Sequence, residues 1–296
     1  MEEIMLYQEF KEKLLRTLRE KLFPGEELRE TIIRKENKQP LTGISIRKEN
    51  PGEIEIAPTI YVEELYEEYF KSPDFNRIVK ESEEMLHTEF PINYNLRNLH
   101  PDEMKKHTER IICVLIGVQQ NQELLASVPH RLVCQDMAVI YRYIIGQSEQ
   151  GMFTATLRNP IDLGMTPDAL YEKAIANTQR MFPEEVISPV SDLSMVTNQK
   201  ALYGATVILY PNVLEQLAER YGGNLYLLPS SVHEFIVVPD DGMHSVQALQ
   251  TMVREINKNE DVIKPEDILT NSVYHYNKET KELTKCKEVI KRNKVR

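Results

Sequence analysis

The 296-residue sequence lacks the short motifs that usually announce chemistry. Its eleven glycines never stand two positions apart, so no G-x-G occurs. That excludes the dinucleotide fingerprint and the kinase glycine-rich loop, which need glycines so that backbone can approach phosphate. There is no G-K-[ST], hence no P-loop, and no G-x-S-x-G, hence no nucleophile elbow. No cofactor is expected. Only three cysteines are present, Cys113, Cys134 and Cys286, far apart and without C-x-x-C. An odd, scattered set is neither a disulfide framework nor a zinc ribbon. Cys113 and Cys134 fall in apolar runs, where a thiol behaves as a small hydrophobe. Long apolar runs are missing as well. The longest, residues 111–118, is too short to cross a bilayer as a helix. The opening "MEEIMLYQEF" has no apolar signal core. A cytoplasmic, reducing location and no membrane partner are expected.

Positive charge is the other shortage. Thirty-six Lys and Arg face 46 Asp and Glu, a net charge of −10. Such a surface repels phosphate backbones and anionic lipids, so nucleic acid is a disfavoured partner. The one basic stretch, "KCKEVIKRNKVR" over residues 285–296, reads as a solvated end.

What the chain does contain is an ordinary globular composition, 41% hydrophobic and 28% charged. Local patterns place it in the α+β class, with mixed, mainly antiparallel sheets flanked by amphipathic helices. Phe10, Leu14, Leu18 and Leu22 form a helix stripe that Pro24 and Gly25 end. "RETIIRK", "LTGISIRK" and "EIEIAPTIY" read as a strand meander, followed by the helix "VEELYEEYF". Ser72–Pro73 and Thr166–Pro167 each present a cap and an N1 proline for a helix. "RIICVLIGV", "MAVIYRYII" and "GMFTATLRN" are central strands. "GATVILY" reads as a strand before the helix "NVLEQLAERY", whose C-cap is Gly222. Strands "NLYLLP" and "VHEFIVV", a helix capped by Ser245 and a terminal hairpin follow. "SPVSDLSMVTNQK", from Ser188, is the most loop-like stretch. Two regions result, 1–160 (helix, meander, helices, central strands) and 161–296 (helix, strand–helix–strand–strand–helix–hairpin). Both can pack as one continuous unit.

The richest polar segment is "LPSSVHEFIVVPDDG", residues 228–242. "HEFIV" begins like the zinc-protease motif, but Val237 stands where the second histidine is needed. His233, Glu234 and Asp241 remain as catalytic candidates. In a strand over 232–238, neighbouring side chains take opposite faces, so His233 and Glu234 are expected to part, and "PDDG" reads as a turn. In "HPDEMKKH", His100, Glu103 and His107 fall on one helical face, and are the metal-ligand candidates. The acids equally suit the positive end of a helix. Tyr66, Tyr69 and Phe70 lie among Glu63, Glu64, Glu67 and Glu68, and are the protein-binding candidates: aromatic anchors in an acidic rim. An ordinary amphipathic helix would instead bury them.

The segments "LTGISIRKE…IAPTIYVEELYEEY", "VPHRLVCQDMAVIYRY" and "GNLYLLPSSVHEFIVVPDDG…SVYHYNKETKEL" together resemble a bacterial family, domain of unknown function 5688, over nearly the full length. The C-terminal half, from Gly204 to Lys285, also resembles domain of unknown function 1444 in its order of strands and helices. The resemblance implies one continuous cytoplasmic architecture and brings no reaction, ligand or site. The expected function is a non-enzymatic module that binds another protein. The alternative is a metal-assisted hydrolase that joins the His233 region to the His100, Glu103 and His107 face.

Overall fold

A computed structural model describes residues 4–48, 57–88, 100–148, 151–158, 163–190 and 193–287. The class is α+β, and among the described residues every strand pair is antiparallel. The chain forms two compact units, Met1–His100 and Pro101–Arg296. The boundary expected after residue 160 falls inside the second unit.

In the first unit the leucine stripe produces α1 (Tyr7–Arg19), with Phe10, Leu14, Leu15 and Leu18 buried. The meander is β1 (Glu26–Ile33), β2 (Leu41–Lys48) and β3 (Thr59–Tyr61), in that spatial order. Residues 49–56 of the expected third strand lie outside the described residues. Helix α2 (Val62–Lys71) follows β3 without a break. Helix α3 (Phe75–Leu86) starts later than its Ser-Pro signal implies: the cap is Asp74, which accepts the Arg77 N–H at 3.0 Å. Helix stripes and inward strand residues share one core that includes Phe10, Leu14, Ile44, Ile60, Tyr69 and Ile78.

The second unit opens with the short helix α4 (Pro101–Lys106) and then β4 (Ile111–Gly117), whose seven residues are all buried. After the brief α5 (Gln122–Leu125), strands β5 (His130–Val133), β6 (Met137–Ser148) and β7 (Gly151–Thr156) complete a sheet centred on β6. Helix α6 (Pro167–Met181) has the predicted cap, Thr166 Oγ1 accepting the Ala169 N–H at 3.2 Å. It packs on β4. The remaining elements are β8 (Glu184–Val190), β9 (Leu193–Asn198), α7 (Val213–Tyr221), β10 (Leu225–Ser231), β11 (Glu234–Pro239), α8 (Val246–Asn257), β12 (Tyr274–Tyr276) and β13 (Leu283–Lys285). They build a six-stranded sheet ordered β13-β12-β10-β11-β9-β8. Leu249 and Val253 of α8 pack against Leu228, Val238 and Val273 on one of its faces.

Two expectations exchange places here. "GATVILY" is no strand; Gly204–Leu209 is a 3-10 helix with Gly204 through Ile208 buried. "SPVSDLSMVTNQK" is no loop; it carries the end of β8 and all of β9, and β9 pairs with β11 inside the sheet. The polar side chains of β9 disguise it, because their partners are distant in sequence. Ser194 Oγ lies 2.6 Å from Tyr221 Oη, and Thr197 Oγ1 donates to the His233 carbonyl at 2.7 Å. Buried polar groups are tolerated when so paired.

Candidate functional site

The 228–242 segment is the β10–β11 hairpin with its turn. β11 begins at Glu234, so Val232 and His233 form the turn and not the expected first residues of a strand. Pleat alternation therefore does not govern His233, yet it and Glu234 part company all the same. Glu234 Oε1 accepts the Ser230 hydroxyl at 3.0 Å. The His233 ring turns to the loop before the 3-10 helix, where Nδ1 accepts the Tyr203 N–H at 3.2 Å. A nitrogen that accepts a backbone proton carries no proton itself, so the hydrogen resides on Nε2. Nε2 faces Asp267 Oδ1 at 3.5 Å. Tyr203 has left-handed backbone, φ 50°, and its hydroxyl accepts from Arg142 at 3.0 Å. Arg142 also donates to Thr154 Oγ1 at 3.1 Å.

This Arg142–Tyr203–His233–Asp267 chain has the residue types of a catalytic relay but not its wiring. A general base needs a free nitrogen within reach of a nucleophile's proton. One His233 nitrogen is committed to backbone, and the other stands 3.5 Å from the Asp267 carboxylate. The imidazole fastens the strained Tyr203 turn to the hairpin. Asp241 has a local task as well: Oδ1 accepts the Met243 N–H at 2.9 Å, closing the turn in which Gly242 has φ 80°. Its neighbour Asp240 holds His275 Nε2 at 3.0 Å.

Around α4 the polar groups pair locally. Glu103 takes Lys106 at 2.6 Å, and His107 Nδ1 lies 3.2 Å from Glu109 Oε1. His100 is the last residue of the first unit. Among the described residues no group of three or more His, Cys, Asp or Glu side chains is placed to hold a metal ion. On α2 the aromatics divide. Tyr69 is 1% exposed in the core, and Tyr66 packs against that core while donating to the Met5 carbonyl at 3.0 Å. Phe70 alone of the three is open to solvent, at 60%.

One polar centre escaped the sequence reading. Asp136 sits before β6 and gathers Ser272 (2.6 Å), Tyr274 (2.8 Å) and Lys285 (2.8 Å) on its carboxylate. Its carbonyl accepts the Val118 N–H at 2.9 Å. These contacts hold a turn in which Cys134 and Gln135 both have positive φ, 49° and 72°. More than 130 positions separate Asp136 from its side-chain partners, so no local signal foretells it. The Ser272 hydroxyl donates into a carboxylate that is already shared, which leaves it a strut and not an activated nucleophile. Two thiols of the second unit are quiet. Burial pushes Cys113 up to about 12, and burial followed by the Asp136 charge pushes Cys134 up to about 11.

Fold and site together define an α+β protein whose polar clusters brace turns and strand edges. The chain matches the family of unknown function DUF5688 over residues 7–193 and 188–278, and it belongs to that family. The resemblance to domain of unknown function 1444 gains no support. No curated protein and no solved structure matches the chain. No helix among the described residues is long and apolar enough to cross a membrane.

Proposed function

We propose that the protein is a non-enzymatic module of the bacterial cytoplasm that binds another protein, with Phe70 at the end of α2 as its anchor. The observation that carries this reading is the exposure of Phe70, 60%, on a helix whose other aromatics are anchored in the core. Glu64, Glu67 and Glu68 are exposed beside it. An aromatic ring on a rigid helix loses little conformational freedom on binding, and rings of this kind dominate interface energetics. The surrounding carboxylates suit a partner with an apolar pocket in a basic rim. Arg77 holds Glu68, and Lys38 reaches Glu64 at 3.3 Å, so the rim is ordered in advance. The wiring of His233, Glu234 and Asp241 supports the same reading, because each already has a bracing partner. The three free cysteines suit a reducing compartment.

The test is affinity purification at native expression from the host, with the wild-type chain beside Phe70→Ala and Glu67→Lys. A partner retained by the wild type and lost by both variants is expected. Loss of binding should come without loss of thermal stability, since Phe70 is not part of the core. Absence of any specific partner, or one that binds Phe70→Ala equally well, overturns the reading.

A further inference from the structure

His87 follows the last residue of α3 and occupies its C-cap, where its N–H donates to the Glu83 carbonyl at 3.1 Å. The same carbonyl lies 2.9 Å from His87 Nδ1. At the other end of the ring, Nε2 lies 3.1 Å from Glu26 Oε2, on the first residue of β1. A carbonyl oxygen can only accept, and so can an ionised carboxylate. Both ring nitrogens must therefore donate. A neutral imidazole carries one N–H, and only the imidazolium carries two. His233, whose Nδ1 accepts the Tyr203 N–H, lacks this double demand.

The surroundings of His87 favour a cation. A helix end presents carbonyls and the negative pole of the helix dipole. The Glu26 side chain is 8% exposed, and a carboxylate so buried is destabilising without a partner. Glu26 Oε2 also accepts the Phe23 N–H at 2.9 Å. The Phe23 ring meets the imidazole edge-on, with centroids 4.8 Å apart. Lys21, just beyond α1, takes the Glu83 carboxylate at 2.6 Å, so that acid is already engaged. The charged groups around the ring are thus Glu26 from β1 and the Lys21–Glu83 pair.

From this wiring we propose that His87 is a proton-operated clasp. The imidazolium holds the turn between α1 and β1, residues 20–25, to the end of α3. When the ring gives up its second proton, one of its two acceptors faces a lone pair and the turn is released. The hold is complete while the proton is bound and is lost as pH rises and removes it. Histidine changes charge within the physiological range, so ordinary conditions reach the clasp. It lies wholly within the first unit. It is independent of the Phe70 reading and survives or fails separately from it.

Hydrogen exchange of the full chain over a pH series, corrected for the intrinsic effect of pH on exchange, is the test. The Phe23 amide and its neighbours in the turn should exchange about tenfold faster or more once the second proton has gone, because a bond to a charged group is lost. His87→Gln has no such proton and should exchange at the faster rate at every pH. Glu26→Gln keeps an acceptor for the Phe23 N–H without the charge, and should flatten the pH response as well. A melting curve checks that both variants fold. Nitrogen NMR of the wild-type ring reads the clasp without any substitution, and both His87 nitrogens should carry hydrogen while the turn is protected. Wild-type exchange that ignores pH overturns the proposal. So does a pH response kept in His87→Gln, or a ring with one bare nitrogen in the protected state.

Discussion

The backbone N–H of Cys113 donates to Thr178 Oγ1 at 2.8 Å, across 65 positions of chain. It is one of four such closures along β4. Leu115 N–H donates to Thr206 Oγ1 at 3.1 Å. The carbonyls of Ile111 and Gly117 accept from Asn177 (2.9 Å) and Asn121 (2.7 Å). The four residues alternate along the strand, so they mark the side turned away from β6. A fully buried edge strand cannot leave its ladder groups unpaired. Among the described residues no second strand meets this side, and side chains take that place.

Removing one of these hydroxyls should therefore cost more than a surface hydrogen bond. Thr178→Val keeps shape and leaves the Cys113 N–H without its acceptor in a buried site. A loss of about 1–3 kcal/mol is expected, and the same for Thr206→Val. Urea denaturation with an unchanged slope and a lower midpoint is the measurement. A change within error for both would show that the edge finds other partners.

Alkaline pH should expose the burial of Cys113. Its thiol is pushed up to about 12 from an ordinary value of 9.0 by burial. The folded chain then keeps a proton that the unfolded chain releases. The stabilising contribution is complete below the unfolded value and disappears as pH rises through the folded one. Stability should fall between about pH 9 and about pH 12, with Cys113 contributing at most about 1.4 kcal/mol per pH unit. Comparing the wild-type slope with that of Cys113→Ala isolates this group from the tyrosines, whose buried hydroxyls act in the same direction. Equal slopes would refute the assignment.

His233 should prove to be a brace. His233→Ala leaves the Tyr203 N–H without its acceptor and is expected to cost about 1–3 kcal/mol. His233→Asn places an oxygen near the Nδ1 position and should recover part of that loss. Glu234→Gln, whose partner is the hydroxyl of Ser230, should stay within about 0.5 kcal/mol. Thermal unfolding of the three variants distinguishes this order from one in which Glu234 matters as much as His233.

Two glycines should behave oppositely. A Cβ at Gly204 would stand 2.2 Å from Thr197 Oγ1 and 2.3 Å from the His233 carbonyl, so backbone must move. Gly204→Ala should destabilise by about 1–3 kcal/mol or more. At Gly223 a Cβ meets nothing within 4 Å, and alanine there should shift stability by less than about 0.5 kcal/mol. Equal melting temperatures for the two variants would contradict the packing of the 3-10 helix against β9 and the hairpin turn.

Much of the architecture was legible because its signals are local. Thr166 and Ser245 cap the helices that follow them. Gly222, φ 75°, ends α7 as its type and place imply. The candidate site was less legible. Asp241 in its turn followed from turn chemistry. His233 did not, since its role depends on Tyr203 and Asp267, which no spacing rule links to it. Tyr69 and Phe70 are adjacent on an acidic helix, and only packing against Phe10 and Ile78 separates the buried ring from the exposed one.

Helix stripes, caps, turn glycines and strand alternation are read from neighbours within a few residues, and on these the sequence alone determined the α+β class and most of the elements. Whether "GATVILY" lies flat in a sheet or coils tightly, and whether "LSMVTN" wanders or pairs, was decided by the tertiary structure. Apolar residues reward burial in either backbone form, so the buried 3-10 helix at Gly204–Leu209 satisfies the same chemistry as a strand would. The polar positions of β9 become tolerable inside only when Tyr221 and the His233 carbonyl arrive to meet them.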